Sequence, residues 1–263
     1  MLFETSLNEA LDSFEETFAN NIPWPRVSCC TKKHRFFCPT CKTVFNSASI
    51  PPAPAMPFEV VIIKHDEAEQ STGPQLGALG VAEVIEYTVD QVQDRDDQYD
   101  PTTTFILFPS TQSIPLSDDT LNIKKLVVFD CKWTKAVSLT DGRFKNLRHV
   151  KLSNPPTKSR YWRWHNNGAG MLSTIEATVC AVWEAAGDNK ENVMNLLYLF
   201  GLQRAAIKQQ CLADNSPFPW DDEYKDEKRR QTKQSGTERQ KLQKVEARKE
   251  SKEDRRKADK RHP

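Results

Sequence analysis

The chain has 263 residues, 38% hydrophobic and 9% aromatic, with 37 Lys and Arg against 36 Asp and Glu. The net charge of +1 hides an asymmetry: residues 225–263 carry 16 Lys and Arg and 8 Asp and Glu, a net of +8, and the rest carries 21 and 28, a net of −7. The opening Met1-Leu2-Phe3-Glu4-Thr5 lacks the basic start and apolar core of a secretory signal, and no apolar run approaches the roughly 20 residues of a membrane helix, so neither secretion nor membrane insertion is expected.

Leu7, Leu11, Phe14 and Phe18 recur at helical spacing and predict an amphipathic helix ended by Asn20 and Pro23. Four of the seven cysteines then crowd into residues 29–41. An odd count and this crowding favour a reduced compartment and a metal site over a disulfide framework. Cys38-Pro39-Thr40-Cys41 is a C-x-x-C knuckle, whose two spacer residues let both sulfurs face one Zn²⁺. Cys29 and Cys30 are adjacent, an awkward pair for one ion. Cys30, Cys38 and Cys41 are therefore the leading ligands, with Cys29 or His34 as the fourth. The plain alternative is a set of thiols without a metal. Pro51, Pro52, Pro54 and Pro57 mark an extended linker. The expected organisation is an N-terminal unit over 1–57, a main domain over 58–220 and a tail over 221–263.

Residues 58–63 form the first predicted strand of the main domain, which delivers Lys64, His65 and Asp66 at its end. These suit a phosphate or a base, or an ordinary solvated loop. Ser71-Thr72-Gly73-Pro74 turns the chain, and residues 84–89 predict a second strand. Residues 104–108 are a buried strand that stops at Pro109-Ser110-Thr111-Gln112-Ser113. Hydroxyls and free N–H groups at a strand end suit a carboxylate or phosphate; Ser110 or Ser113 could equally cap a turn.

Leu126-Val127-Val128-Phe129 predicts a buried parallel strand that ends in Asp130-Cys131-Lys132-Trp133. An acid at the carboxyl end of a strand, at the turn into a helix, is where open α/β sheets build ligand sites. The bland roles are a helix cap for Asp130 and core packing for Trp133. Residues 147–152 alternate and predict another strand. Residues 160–168 hold three aromatics, two arginines, a histidine and two asparagines, a mixture suited to unpaired RNA bases and phosphates. Ser173-Thr174-Ile175-Glu176 has the capping-box pattern and opens a helix over 171–186, whose N-terminus favours an anionic group. A second helix is predicted over 191–212. Strands alternating with helices indicate an α/β fold with a mainly parallel sheet. The charged tail cannot bury enough to fold alone. It could attract RNA, solubilise the chain or act as a nuclear address, so the nucleus is expected, with the cytoplasm as the alternative. No G-x-S-x-G elbow or P-loop is present.

Four of these elements resemble the DTW-domain family, the tRNA-uridine aminocarboxypropyltransferases. Asp130-Cys131-Lys132-Trp133 with Ala136 resembles the family's D-x-x-W element, and Phe108-Pro109-Ser110 with Ser113 its strand-end loop. Leu172-Ser173-Thr174-Ile175-Glu176-Ala177 resembles its S-T-x-E-A helix start, and Arg35-Phe36-Phe37-Cys38-Pro39-Thr40-Cys41 its cysteine knuckle. The resemblance runs from about residue 29 to residue 186 and implies a SPOUT-like fold, with room for a knotted cofactor loop. It also implies transfer of the 3-amino-3-carboxypropyl group of S-adenosylmethionine to N3 of a uridine in the tRNA D-loop, at position 20, with release of methylthioadenosine. Asp130 would be base or orienter, and Trp133 would pack on the cofactor or the uracil. Pro109, Ser110, Ser113, Asp130, Ser173, Thr174 and Glu176 would bind S-adenosylmethionine; Cys29, Cys30, Cys38 and Cys41 would bind zinc. Arg160, Trp162, Arg163 and His165 would contact tRNA. The same residues also suit a zinc-containing RNA-binding module without activity, or an S-adenosylmethionine-dependent RNA methyltransferase.

Overall fold

The computed structural model describes residues 2–21, 24–30, 32–45, 50–65, 71–86, 99–162, 171–219 and 230. Helix α1 spans Phe3–Asn20, and a short hairpin follows, β1 (Val27–Cys29) with β2 (Lys32–His34). A second small ribbon pairs β3 (Phe37–Cys38) with β4 (Thr43–Val44). The main sheet is built from β5 (Glu59–Lys64), β6 (Glu83–Glu86), β7 (Thr104–Leu107), β8 (Ile114–Pro115), β9 (Lys125–Asp130) and β10 (Arg148–Lys151). Its order is β6-β5-β9-β7-β10-β8, and every neighbouring pair is parallel. The helices are α2 (Gly73–Ala78), α3 (Trp133–Asp141), α4 (Thr174–Ala185) and α5 (Tyr198–Ala213), with a 3-10 turn over Val193–Leu197 before α5.

The central strands are apolar on both faces because both faces are covered. Val60 and Ile62 of β5, with Leu126 and Val128 of β9, pack under α1, α4 and α5. Val61, Ile63, Ile106 and Val127 face the other way, onto Ala136 and Leu139 of α3 and onto Phe144 and Leu147. Helix α1 presents Phe3, Leu7, Leu11, Phe14 and Phe18 at helical spacing, and all five enter the larger core. Gly201 of α5 has no room for a side chain, since a Cβ there would lie 2.5 Å from the ring of Phe14. At the polar rim of the same contact, Glu15 takes both Arg204 and Lys208.

The parallel α/β sheet with flanking helices agrees with the sequence expectation. Element boundaries shift locally. The helix predicted over 191–212 is broken, because Asn192 adopts φ 62° and the chain makes a 3-10 turn before α5 begins. The Ser71–Pro74 turn leads into α2, which has proline in its first turn.

Because all strands of the main sheet run the same way, their carboxyl ends gather along one edge. Lys64, Glu86, Leu107, Asp130 and Lys151 end β5, β6, β7, β9 and β10 there.

Candidate active site and cysteine centre

Asp130 ends β9 with 5% exposure. A buried carboxylate is costly unless it is hydrogen-bonded. Its Oδ2 accepts the Gly73 N–H at 2.7 Å and the Ser71 hydroxyl, and its Oδ1 accepts the Thr174 hydroxyl at 2.8 Å. The Ile175 N–H, in the first turn of α4, donates to the Thr72 hydroxyl at 3.1 Å. One carboxylate and one hydroxyl thus tie the end of β9, the start of α2 and the start of α4 into a single joint. Ser71, Thr72 and Gly73 belong to this joint, although the sequence marks them only as a turn. The signal was a pair of adjacent hydroxyl residues beyond the carboxyl end of a buried strand, as at Ser110-Thr111 in residues 109–113.

Lys64 lies in register with both Asp130 and Glu86, and its ammonium pairs with Glu86 at 3.2 Å. It is buried, so its place is within the sheet edge.

Helix α4 begins as predicted, with Ser173 as cap and Glu176 closing the capping box. Glu176 is fully buried and serves more than the cap. Its Oε2 accepts the Ser173 N–H at 2.9 Å, the Ser173 hydroxyl at 2.7 Å and the Ser159 hydroxyl at 2.7 Å, while Oε1 accepts the Arg160 N–H at 2.6 Å. Two turns on, Glu184 accepts the N–H groups of Ser153 and Asn154, each at 2.7 Å. The two glutamates bind the segment after β10 along α4. Glu176 is therefore a positioning residue whose oxygens are committed to the protein itself.

The residues expected at RNA fall into two groups. Arg160 points onto α1, where Nε donates to Asn8 at 3.0 Å and the guanidinium lies 3.5 Å from Glu4. Trp162 packs between Tyr161 and Phe200, with ring centroids 5.0 and 5.1 Å away. Arg163 and His165 lie outside the described residues.

A second cluster sits on the α3 side of the same edge. Trp133, the first residue of α3, is 37% exposed and stacks on Phe108 with centroids 5.0 Å apart. His149 meets Phe108 edge-on at 5.7 Å, and its Nδ1 lies 3.0 Å from the Ser110 hydroxyl. Burial lowers the imidazole from its ordinary 6.5, and Asp141 opposes the shift. The Pro109–Ser113 loop is internally braced: the Ser113 hydroxyl donates to the Ser110 carbonyl at 2.8 Å and accepts the Ser110 N–H at 3.2 Å. Asp130 and Trp133 thus flank the end of β9 from opposite faces of the sheet. His149 was missed because a strand histidine carries no local signal.

The four sulfurs of Cys29, Cys30, Cys38 and Cys41 all lie within 4.8 Å of one another. Cys29 and Cys41 are 3.6 Å apart, Cys30 and Cys38 are 3.9 Å apart, and Cys30 and Cys41 are 2.8 Å apart. A tetrahedral Zn²⁺ with Zn–S near 2.3 Å requires sulfurs about 3.8 Å apart, which two of these pairs approach. Burial raises the Cys38 thiol, but N–H groups of Cys41 and Thr40 among other donors more than offset this, bringing it down from 9.0 to about 7. The set fits zinc, and its fourth member is Cys29 rather than His34. Adjacent cysteines can share one centre here because Cys30 takes φ 51°, which turns its thiol to the same side as that of Cys29.

The knuckle is docked on the sheet edge beside the first cluster. The Lys42 ammonium donates to the Val84 carbonyl of β6 at 2.8 Å, and a Cβ on Gly77 of α2 would lie 3.5 Å from the Lys42 side chain.

Taken together, these features define an α/β protein with a hydrogen-bonded joint around Asp130 at the carboxyl edge of a parallel sheet and a four-cysteine centre packed beside it. The DTW domain model matches residues 35–208, about two thirds of the chain, and the protein belongs to the DTW domain family. That family fits a tRNA-modifying function, with tRNA as the substrate it suggests. Searches of curated proteins and of solved structures gave no significant match. No helix among the described residues is long and apolar enough to cross a membrane.

Proposed function

We propose that the protein transfers the 3-amino-3-carboxypropyl group of S-adenosylmethionine to N3 of a uridine in the tRNA D-loop, on a SPOUT-like scaffold. Uridine N3 gives up its proton to solvent and attacks the methylene carbon beside the sulfonium. The carbon–sulfur bond breaks, its electron pair passes to sulfur, and neutral methylthioadenosine leaves. The sulfonium is already activated, so positioning supplies most of the rate.

The observation that carries this proposal is that Asp130, the start of α4, Trp133 and the Pro109–Ser113 loop all lie along the carboxyl edge of the sheet. Asp130, bonded to Ser71, Gly73 and Thr174, holds the start of α4 against the sheet. Its oxygens already receive donors of the protein, which favours the role of orienter. The positive end of the α4 dipole, at Thr174, lies at this edge and favours the methionine carboxylate through its field, since the Ile175 and Glu176 N–H groups are already bonded to Thr72 and Ser173. Trp133, half-exposed on Phe108, offers a flat apolar face for adenine or uracil. Zinc at the cysteine centre would be structural and would hold the knuckle closed. The basic tail supports a nuclear location.

Unmodified tRNA incubated with the protein and S-adenosylmethionine, then digested to nucleosides, should yield a uridine heavier by the aminocarboxypropyl group. A methyl increment would instead make the protein a methyltransferase. No increment, with no cofactor binding in calorimetry, would leave an RNA-binding module.

A further inference from the structure

The cysteine knuckle carries a charge that its metal does not account for. Between Glu16 and Glu59 the sequence contains no Asp or Glu, but it contains Arg26, Lys32, Lys33, Arg35 and Lys42. Four thiolates on one Zn²⁺ carry a net −2, so these cations would leave the loaded knuckle near +3. The surroundings are the opposite: residues 1–16 and 59–224 hold 16 Lys and Arg against 28 Asp and Glu. A basic patch is thus set on an acidic body.

The cations divide by position. Lys42 is turned onto Val84 of β6, and Arg35 is half-buried. Arg26, Lys32 and Lys33 are exposed around the β1–β2 hairpin. The hairpin register sets Lys32 opposite Cys29, on the face of that cysteine, and Lys33 opposite Ser28, on the other face of the ribbon. Cys29 and Cys30, at the turn end of that hairpin, meet Cys38 and Cys41 at one centre, which anchors the turn to the second ribbon.

The place of this ribbon matters. Helix α2 meets Lys42, the residue after Cys41, at Gly77 and Asp130 at Gly73, four residues or about 6 Å apart along its axis, so the knuckle and the Asp130 joint share one helix. An RNA strand held at the end of β9 would run beside the knuckle that α2 and β6 hold there.

We infer that the β1–β2 hairpin of the cysteine knuckle, through Arg26, Lys32 and Lys33, is a docking surface for the sugar–phosphate backbone of the substrate tRNA. This rests on the reading of tRNA as substrate, and it assigns the knuckle a part in RNA capture beyond holding the fold. Contacts of this kind position the RNA and carry no sequence information.

The test is the affinity of the full-length, zinc-loaded protein for an unmodified tRNA transcript, measured across a salt series. Arg26→Glu with Lys33→Glu should weaken binding roughly tenfold and reduce the slope of log K against log salt by about 1.5, the share of two phosphate contacts. Zinc content and Tm should stay at wild-type values. Arg26→Lys with Lys33→Arg should retain both affinity and slope. If the reversed variant fails to load zinc, Arg26→Gln with Lys33→Gln replaces it, with a smaller loss expected in the same direction. Unchanged affinity and slope in a zinc-loaded variant would overturn the inference. A wild-type protein that binds tRNA yet forms no aminocarboxypropyl-uridine would sink the proposed reaction alone, and the salt slope would still decide the role of the hairpin.

Discussion

The Asp130 carboxylate and the Thr174 hydroxyl, 44 residues apart in the chain, meet at 2.8 Å. That bond fastens the end of a central strand to the first turn of α4. Thr174→Val keeps the shape and leaves a buried carboxylate one donor short. A hydrogen bond to a charged group is worth about 1.5–3 kcal/mol, so urea titration should show a loss near 2 kcal/mol, with Thr174→Ser close to wild type. Equal stability of the valine variant would mean that the joint does not form in solution.

Gly73 sits where no side chain fits. A Cβ there would lie 2.5 Å from Asp130 Oδ2 and 2.7 Å from Ile62 Cγ2. Gly73→Ala should push the carboxylate out of its joint, at an overpacking cost of about 1–3 kcal/mol. Calorimetry should show S-adenosylmethionine binding lost. The control is Gly80→Ala, whose Cβ would meet nothing within 4 Å. Its φ of 74° makes it mildly unstable without touching the site.

The cysteine centre should hold one zinc per chain in native mass spectrometry. Cys38→Ser should abolish that mass increment, because Cys38 is the buried member of the set. Phe36 and Phe37, which pack beside it in the large core, lose their anchor. A loss of about 2–3 kcal/mol is expected, which lowers Tm by roughly 5–10 °C. His34→Asn should leave the zinc content unchanged.

His149 provides a pH signature. Burial lowers its folded-state value below 6.5, so the unfolded chain binds the proton more readily. Its neutral form is favoured in the fold, and this contribution is complete above 6.5 and declines as pH falls below it. NMR titration should place His149 below 6.5, and Ser110→Ala should alter that midpoint, since the Ser110 hydroxyl is the partner of Nδ1. A midpoint at or above 6.5 would contradict the burial argument.

Local patterns were read correctly where one segment carries the whole signal. The apolar run of β9, the capping box at Ser173 and the C-x-x-C knuckle each concern a few consecutive residues, and each is found where it was expected. Long-range partnership was not legible. The Ser71 hydroxyl reaches Asp130 across 59 residues, and nothing in either segment names the other. Composition does not name the protein partners of Arg160 and Trp162. A cation and an aromatic side by side suit RNA, yet α1 offers Glu4 and Asn8 to the first, and α5 offers Phe200 to the second. The choice between Cys29 and His34 needed the hairpin backbone, because the φ of Cys30 decides which side chains converge.

The two borders of the main sheet are unlike its middle. On one side β6 has its Val84 carbonyl taken by Lys42 of the knuckle. On the other side β8 is two residues long and ends in Pro115, which has no N–H to offer. A flat border of unpaired backbone invites strands from other molecules. Here one border is plugged by a lysine and the other is cut short by a proline. Both devices blunt the described borders, which disfavours fusion through their strands when two copies of this chain are brought together along one RNA.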